Sequence, residues 1–145
     1  MSARDHFLGA LGRVIDLRER EVDRLSEELA SRQAVRQRYV ANIERLGALC
    51  HGSGATATMS PALSLNSAAY KQSLVQMTLE QRTDLALHES ETVHVQAAVH
   101  AAVRGQESLT HVFEKRELHL SRASNGREQK RQDDMAAQVW QRGQS

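Results

Sequence analysis

From Leu8 to Cys50 a seam at three-to-four-residue spacing, apolar at all but three positions, runs without a break in phase. The seam reads Leu8, Leu11, Ile15, Arg18, Val22, Leu25, Leu29, Arg32, Arg36, Tyr39, Ile43, Leu46 and Cys50. An alternation sustained this long makes one narrow stripe on a helix, suited to packing on another helix. Arginine is the only residue type that interrupts it. Its stem can lie along a seam while the guanidinium reaches water, so it weakens the stripe without breaking it. The spacing predicts helix over about residues 3–50, roughly 70 Å long at 1.5 Å per residue.

The pattern stops at His51. Two glycines, Gly52 and Gly54, and a run of small and hydroxyl residues predict a loop over about residues 51–61. Ser60 followed by Pro61 suits the cap and first position of a second helix, because proline lacks the N–H that would be unpaired there anyway. Asn66 is the alternative cap. The second helix is expected over about 62–124, with a continuation to about 140 left open because Asn125-Gly126 can end or fray it. Its seam is poorer. Leu74, Leu85, Val95, Val99, Ala102, Leu109, Phe113 and Leu120 fit one register, with Gln81, His88, Thr92, Gln106 and Arg116 among them.

Two helices joined by a short loop give an all-α fold, a long antiparallel two-helix coiled-coil hairpin with a C-terminal overhang. A turn centred near residue 56 would set Leu8 beside Arg104, leaving everything beyond about residue 110 to overhang. That stretch carries Leu109, Val112, Phe113, Leu118, Leu120, Met135, Val139 and Trp140. Leaving such side chains in water forfeits several kcal/mol at about 25 cal/mol per Å², which points to a docking surface. Asp133 and Asp134, near the end of a helix, would oppose its macrodipole and hint at a basic partner.

Composition narrows the function classes. Aromatic residues make up 3% of the chain, there is one proline, and Glu, Gln, Arg, Ala and Leu dominate, a long-helix bias. A net charge of +1 creates no strong field for nucleic acid or an anionic membrane. The lone Cys50 forms no internal disulfide, and neither a signal peptide nor a membrane span is apparent, so a cytosolic protein is expected.

The search for chemistry returns little. Gly52-Ser53-Gly54 lacks the spacing and lysine of a phosphate-binding loop, so no ATPase activity of its own is expected. His88, His94 and His100 fall six apart, which spreads them around a helix, whereas zinc sites use i, i+3 or i, i+4 pairs. Cys50 beside His51 lacks a third group to orient a base. Charges of both signs mix within single turns at residues 18–21 and 127–134, as on solvated helix faces, and no basic stripe with stacking aromatics exists for nucleic acid. No enzyme, cofactor or metal site is expected.

Two stretches carry a resemblance. Gln129-Lys130-Arg131-Gln132-Asp133-Asp134-Met135-Ala136 resembles the Gln-Lys-Lys-x-Asp-Glu-x-Ala ending of the FliJ family, the stalk of the flagellar type III export ATPase, with Asp134 in place of Glu. Residues 66–81 are similar to the start of that family's second helix, Asn-Tyr-x-x-Phe-x-x-x-Leu, with Tyr70 for Phe and Leu74 matching. The resemblance implies a hairpin whose end bearing both termini enters the hexameric flagellar export ATPase, promoting its assembly and hydrolysis. It implies ring contacts at Gln129, Lys130, Arg131, Asp133, Asp134 and Met135. Contacts to the cytosolic domain of the export gate would fall at Tyr70, Leu74, Met77 and Gln81, where Met77 replaces a small residue and Gln81 a histidine. Export chaperones are further implied partners, and the implied location is the cytoplasmic face of the inner membrane. The rival readings are the stalk of a virulence-type injectisome, and a structural coiled coil or secretion chaperone without ATPase contact.

Overall fold

The computed structural model describes residues 2–53 and 60–144 and contains two helices, α1 (Ala3–Gly52) and α2 (Pro61–Gly143). The fold is all-α, with α1 and α2 pairing as in an antiparallel coiled coil. The two helices contribute to two compact units, Glu21–Ala101 and the terminal unit of Met1–Arg20 with Ala102–Ser145. Residues 54–59, the centre of the expected loop, lie outside the described residues.

Both helices start where local chemistry dictates. Ser2 caps α1, its N–H donating to the Asp5 carboxylate at 3.0 Å while the Asp5 N–H donates to the Ser2 carbonyl. These two bonds satisfy groups at a helix start that the helix cannot pair. Ser60 caps α2, its hydroxyl accepting from the Leu63 N–H at 3.4 Å, and Pro61 takes the first helical position as expected. At the end of α1 the Ser53 hydroxyl donates to the Cys50 carbonyl, and Ser67 of α2 donates to the Ser53 carbonyl at 2.7 Å.

In the Glu21–Ala101 unit the seams meet antiparallel. Arg32 reaches Glu91, Arg36 reaches Glu89, and Tyr39 lies against His88 with ring centroids 5.9 Å apart. Leu25 and Leu74 are the buried apolar residues, while the other seam side chains of the unit are half-covered apart from exposed Arg36. A helix covered from one side can do little better, because each seam residue has a single neighbouring helix. Polar seam residues of α2 find partners at hand. Thr78 and Thr92 donate to the carbonyls of Leu74 and His88, and His88 Nε2 lies 2.8 Å from the Arg32 carbonyl. A carbonyl only accepts, so that ring nitrogen carries the proton. Gln81 differs: its buried Oε1 has no hydrogen-bond partner.

The seam arginines do more than snorkel. The Arg36 guanidinium donates to Glu89 at 2.8 Å, and Arg32 sits 3.5 Å from Glu91. Exposed pairs like these contribute about 0–1 kcal/mol each. Their larger effect is on register, since sliding α2 by one heptad would set Arg36 against Arg82 or Gln96.

The terminal unit corrects the expected register. Phe7 lies beneath the Arg116 guanidinium, 5.4 Å from ring centroid to carbon, rather than opposite a residue near Arg104. The pairing is displaced by roughly three helical turns along α2. Leu109, Phe113 and Leu120, expected to overhang, are therefore half-covered, and so is Ala123. The unpartnered stretch is shorter than expected, and every described residue from 124 to 144 is exposed. Asn125-Gly126 does not end the helix, which runs on to Gly143. Asp133 and Asp134 thus stand more than two turns before the end, beyond the reach of the terminal dipole, and the expected macrodipole conflict disappears.

Two substitutions test this seam by thermal and chemical denaturation. Leu25→Ala should cost about 2–3 kcal/mol of stability. Gln81→Leu should raise the thermal midpoint by a few degrees, because it removes an unpaired buried oxygen worth about 1 kcal/mol or more; a lowered midpoint would show that Gln81 is satisfied in solution.

Candidate partner-binding surfaces

The C-terminal end of α2, residues 124–143, is a helix exposed along its length. α1 starts at Ala3, which lines one groove with Leu120 and Ala123, so α2 runs on past the start of its partner helix. Carried past that point at the 3-4 spacing, the α2 seam lands on Arg127, Lys130, Asp134, Ala137 and Gln141, of which only Ala137 is apolar. At about 100° per residue Met135 and Val139 instead fall on the far side of the helix, and Trp140 falls on a flank. They are among its most open apolar side chains, with Val139 at 70% and Trp140 at 67% exposure. A partner on the seam line would leave Met135 and Val139 uncovered, because they face away from it.

Gln129, Lys130, Arg131, Asp133, Asp134 and Met135 all lie on this extension, and all are exposed. They do not form one patch. Lys130 and Asp134 continue the seam line, Arg131 and Asp133 flank it, and Gln129 and Met135 face away from it on either side, so the set encircles the helix. Reasoning from the motif alone left Val139 and Trp140 out of this set. Val139, four residues from Met135, shares its face, and Trp140 stands on a separate flank; their high exposure is what marks them.

The second stripe, at the start of α2 in the Glu21–Ala101 unit, divides in two. Leu74 is 4% exposed and belongs to the seam, and Gln81 is half-covered beside it. Tyr70 and Met77, seven residues apart on the flank of that line, are about half exposed, at 49% and 50%. A partner reaching this face meets the tyrosine ring and the thioether, while Leu74 is already in use holding the helices together.

The remaining chemistry-bearing residues do not converge. Among the described residues no group of three His, Cys, Asp or Glu side chains could hold a metal ion. Cys50 is half-covered near the end of α1, and no described helix is long and apolar enough to cross a membrane.

The model of the flagellar FliJ protein family matches residues 7–145. The chain belongs to the FliJ family. No curated protein and no solved structure matches it at a significant level. FliJ membership carries a general role as a stalk component of flagellar protein export, linked to the export ATPase complex. The match covers both helices, so it takes in the α2 extension as well as the paired seams.

Single substitutions separate seam from surface on this FliJ chain. Leu74→Ala should destabilise it by about 2–4 kcal/mol. Tyr70→Ala and Met77→Ala should each change stability by about 0.5 kcal/mol or less, as surface substitutions do. Denaturant unfolding followed by circular dichroism measures both, and an equal loss at Tyr70 and Leu74 would place the tyrosine in the core.

Proposed function

We propose that this chain is an axial stalk of the flagellar export ATPase, with residues 124–143 inserted in the ATPase hexamer and the Tyr70–Met77 flank turned to the cytosolic domain of the export gate. The observation that carries the reading is an exposed helix whose polar, charged and apolar side chains are distributed all round its axis. A docking helix that lies on a flat surface needs one sticky face. A helix surrounded by a ring is approached from every side, and a set that encircles the axis suits that geometry. The six exposed residues at 129–131 and 133–135, with Val139 and Trp140, are the proposed ring contacts.

The stalk acts mechanically in this reading. One asymmetric helix in a six-fold ring meets the subunits unequally, and any difference in its affinity for their open and closed states biases them. That bias promotes assembly and hydrolysis without the chain contributing a catalytic group. Gate contact at Tyr70 and Met77 would join hydrolysis to export, and export chaperones would meet the stalk on the same cytosolic side. The match to a flagellar family favours this system over the injectisome stalk.

The pairing of α1 with α2 ends at Ala123, so truncation after Asn125 removes the extension and leaves the seams intact. The truncated chain should keep its thermal midpoint within about 2 °C and lose stimulation of the cognate flagellar export ATPase. Full stimulation by the truncated chain would refute insertion of this segment.

A further inference from the structure

Within the Glu21–Ala101 unit, α2 carries a second apolar stripe away from the seam. Val75, Leu79, Ala86, Val93 and Ala97 are all exposed, Leu79 at 54% and Val93 at 59%. At about 100° per residue they fall within about 40° of one another, roughly 120° round the helix from Leu74. Arg82 stands among them. The residues three and four positions from it are Thr78, Leu79, Leu85 and Ala86, so its own helix sets no carboxylate beside it. It makes no ion pair among the described residues, whereas Arg32 and Arg36 on the seam each meet a glutamate.

The stripe is its own complement. Leu79 and Val93 stand seven residues either side of Ala86, Val75 and Ala97 eleven, and Arg82 and Ser90 four. Two copies laid antiparallel with Ala86 on the two-fold axis therefore set Leu79 against Val93 of the second copy and Val75 against Ala97. The alanine methyl lets the backbones come close at the axis. A two-fold contact of this kind brings like flank to like flank. Arg82 and Glu89 lie on the same flank, the one nearer the seam, so Arg82 of each copy comes level with Glu89 of the other, within about 1.5 Å along the axis. Within one copy the two are about 10 Å apart along the helix. Glu89 engages Arg36 through Oε1 at 2.8 Å, and its second oxygen can accept a further donor. Parallel copies would instead set Arg82 on Arg82, which like charge disfavours.

We propose that the chain pairs with a second copy of itself through this stripe, antiparallel, with Arg82 of each copy bound to Glu89 of the other. From Gln72 to His100, the outer positions of the stripe, the contact runs about 42 Å. Its side chains are mostly small, so it falls at the low end of the roughly 1,200–2,000 Å² that stable interfaces bury, and a dissociation constant on the order of 10–100 µM is expected. The stripe lies outside residues 124–143 and on the side of α2 opposite Tyr70 and Met77, so the pairing does not rest on the stalk reading.

Sedimentation equilibrium of the full chain across the micromolar range tests this. Leu79→Asp should weaken self-association at least about tenfold. Leu87→Asp, at a similarly exposed side chain off the stripe, should leave it unchanged. Arg82→Glu and Glu89→Arg should each weaken it by about tenfold, because each sets like charges opposite one another. An equimolar mixture of those two variant chains should regain the affinity of the unsubstituted chain, since both crossed pairs are then of opposite sign. Circular dichroism confirms that each variant stays helical; Glu89→Arg also breaks the exposed pair with Arg36, too small a loss to unfold the helices. The proposal is overturned if the chain stays monomeric throughout, which is the result expected of a stripe that serves another protein. It is equally overturned if Leu79→Asp and Leu87→Asp weaken association alike, or if the mixture associates no better than its parts.

Discussion

A two-helix coiled coil has one seam, and everything else in this protein depends on it. Each seam residue meets a single neighbouring helix, so half-coverage is the usual outcome and only Leu25 and Leu74 become buried. Stability then comes from length, with many modest contributions along the helices rather than a packed centre. The helices pair along this line through its polar positions as well as its apolar ones. Past the start of α1 at Ala3 the line runs on through Arg127, Lys130 and Asp134, and α2 continues as an exposed helix.

Most of that line was legible in the sequence. On α1 only Arg18 and Arg36 of the thirteen seam positions turn out exposed, and on α2 the mixed line through Gln81, His88 and Thr92 is covered despite its polarity. The Ser60-Pro61 cap was equally readable, because its chemistry is local. Register was not. A heptad pattern fits itself again after every shift of seven residues, so spacing alone cannot say which turn of α1 faces which turn of α2. Specific cross-helix groups decide it, and Arg36 with Glu89 and His88 with the Arg32 carbonyl are visible only once the helices are side by side. Whether α2 continues past Asn125-Gly126 was open in the sequence, and the structure carries it through. A glycine in an exposed helix costs about 1 kcal/mol, and the good helix formers of residues 127–132 outweigh it.

The candidate surfaces were legible as stretches but not as faces. The resemblance located residues 129–135 on the tail, and only the seam phase distinguishes Lys130 and Asp134 from Met135, Val139 and Trp140. Likewise Tyr70, Leu74, Met77 and Gln81 form one stripe by spacing, and burial divides it into a structural half and an available half. Membership of the FliJ family gives the flagellar export setting, and the geometry adds which side chains are free to meet a partner there. A seam that ends before its helix does leaves one chain with both a paired scaffold and an exposed helix.

Hydrogen–deuterium exchange along the full chain, alone and with the cognate flagellar export ATPase, tests this account most directly. Amides of the paired segments should be protected in both samples. Those of residues 124–143 should exchange rapidly in the free chain, as expected of a lone helix of this length, and become protected when the ATPase is added. Protection of that segment in the free chain, or its continued rapid exchange in the bound chain, would contradict the claim that the seam ends at Ala123 to leave a helix for the ring.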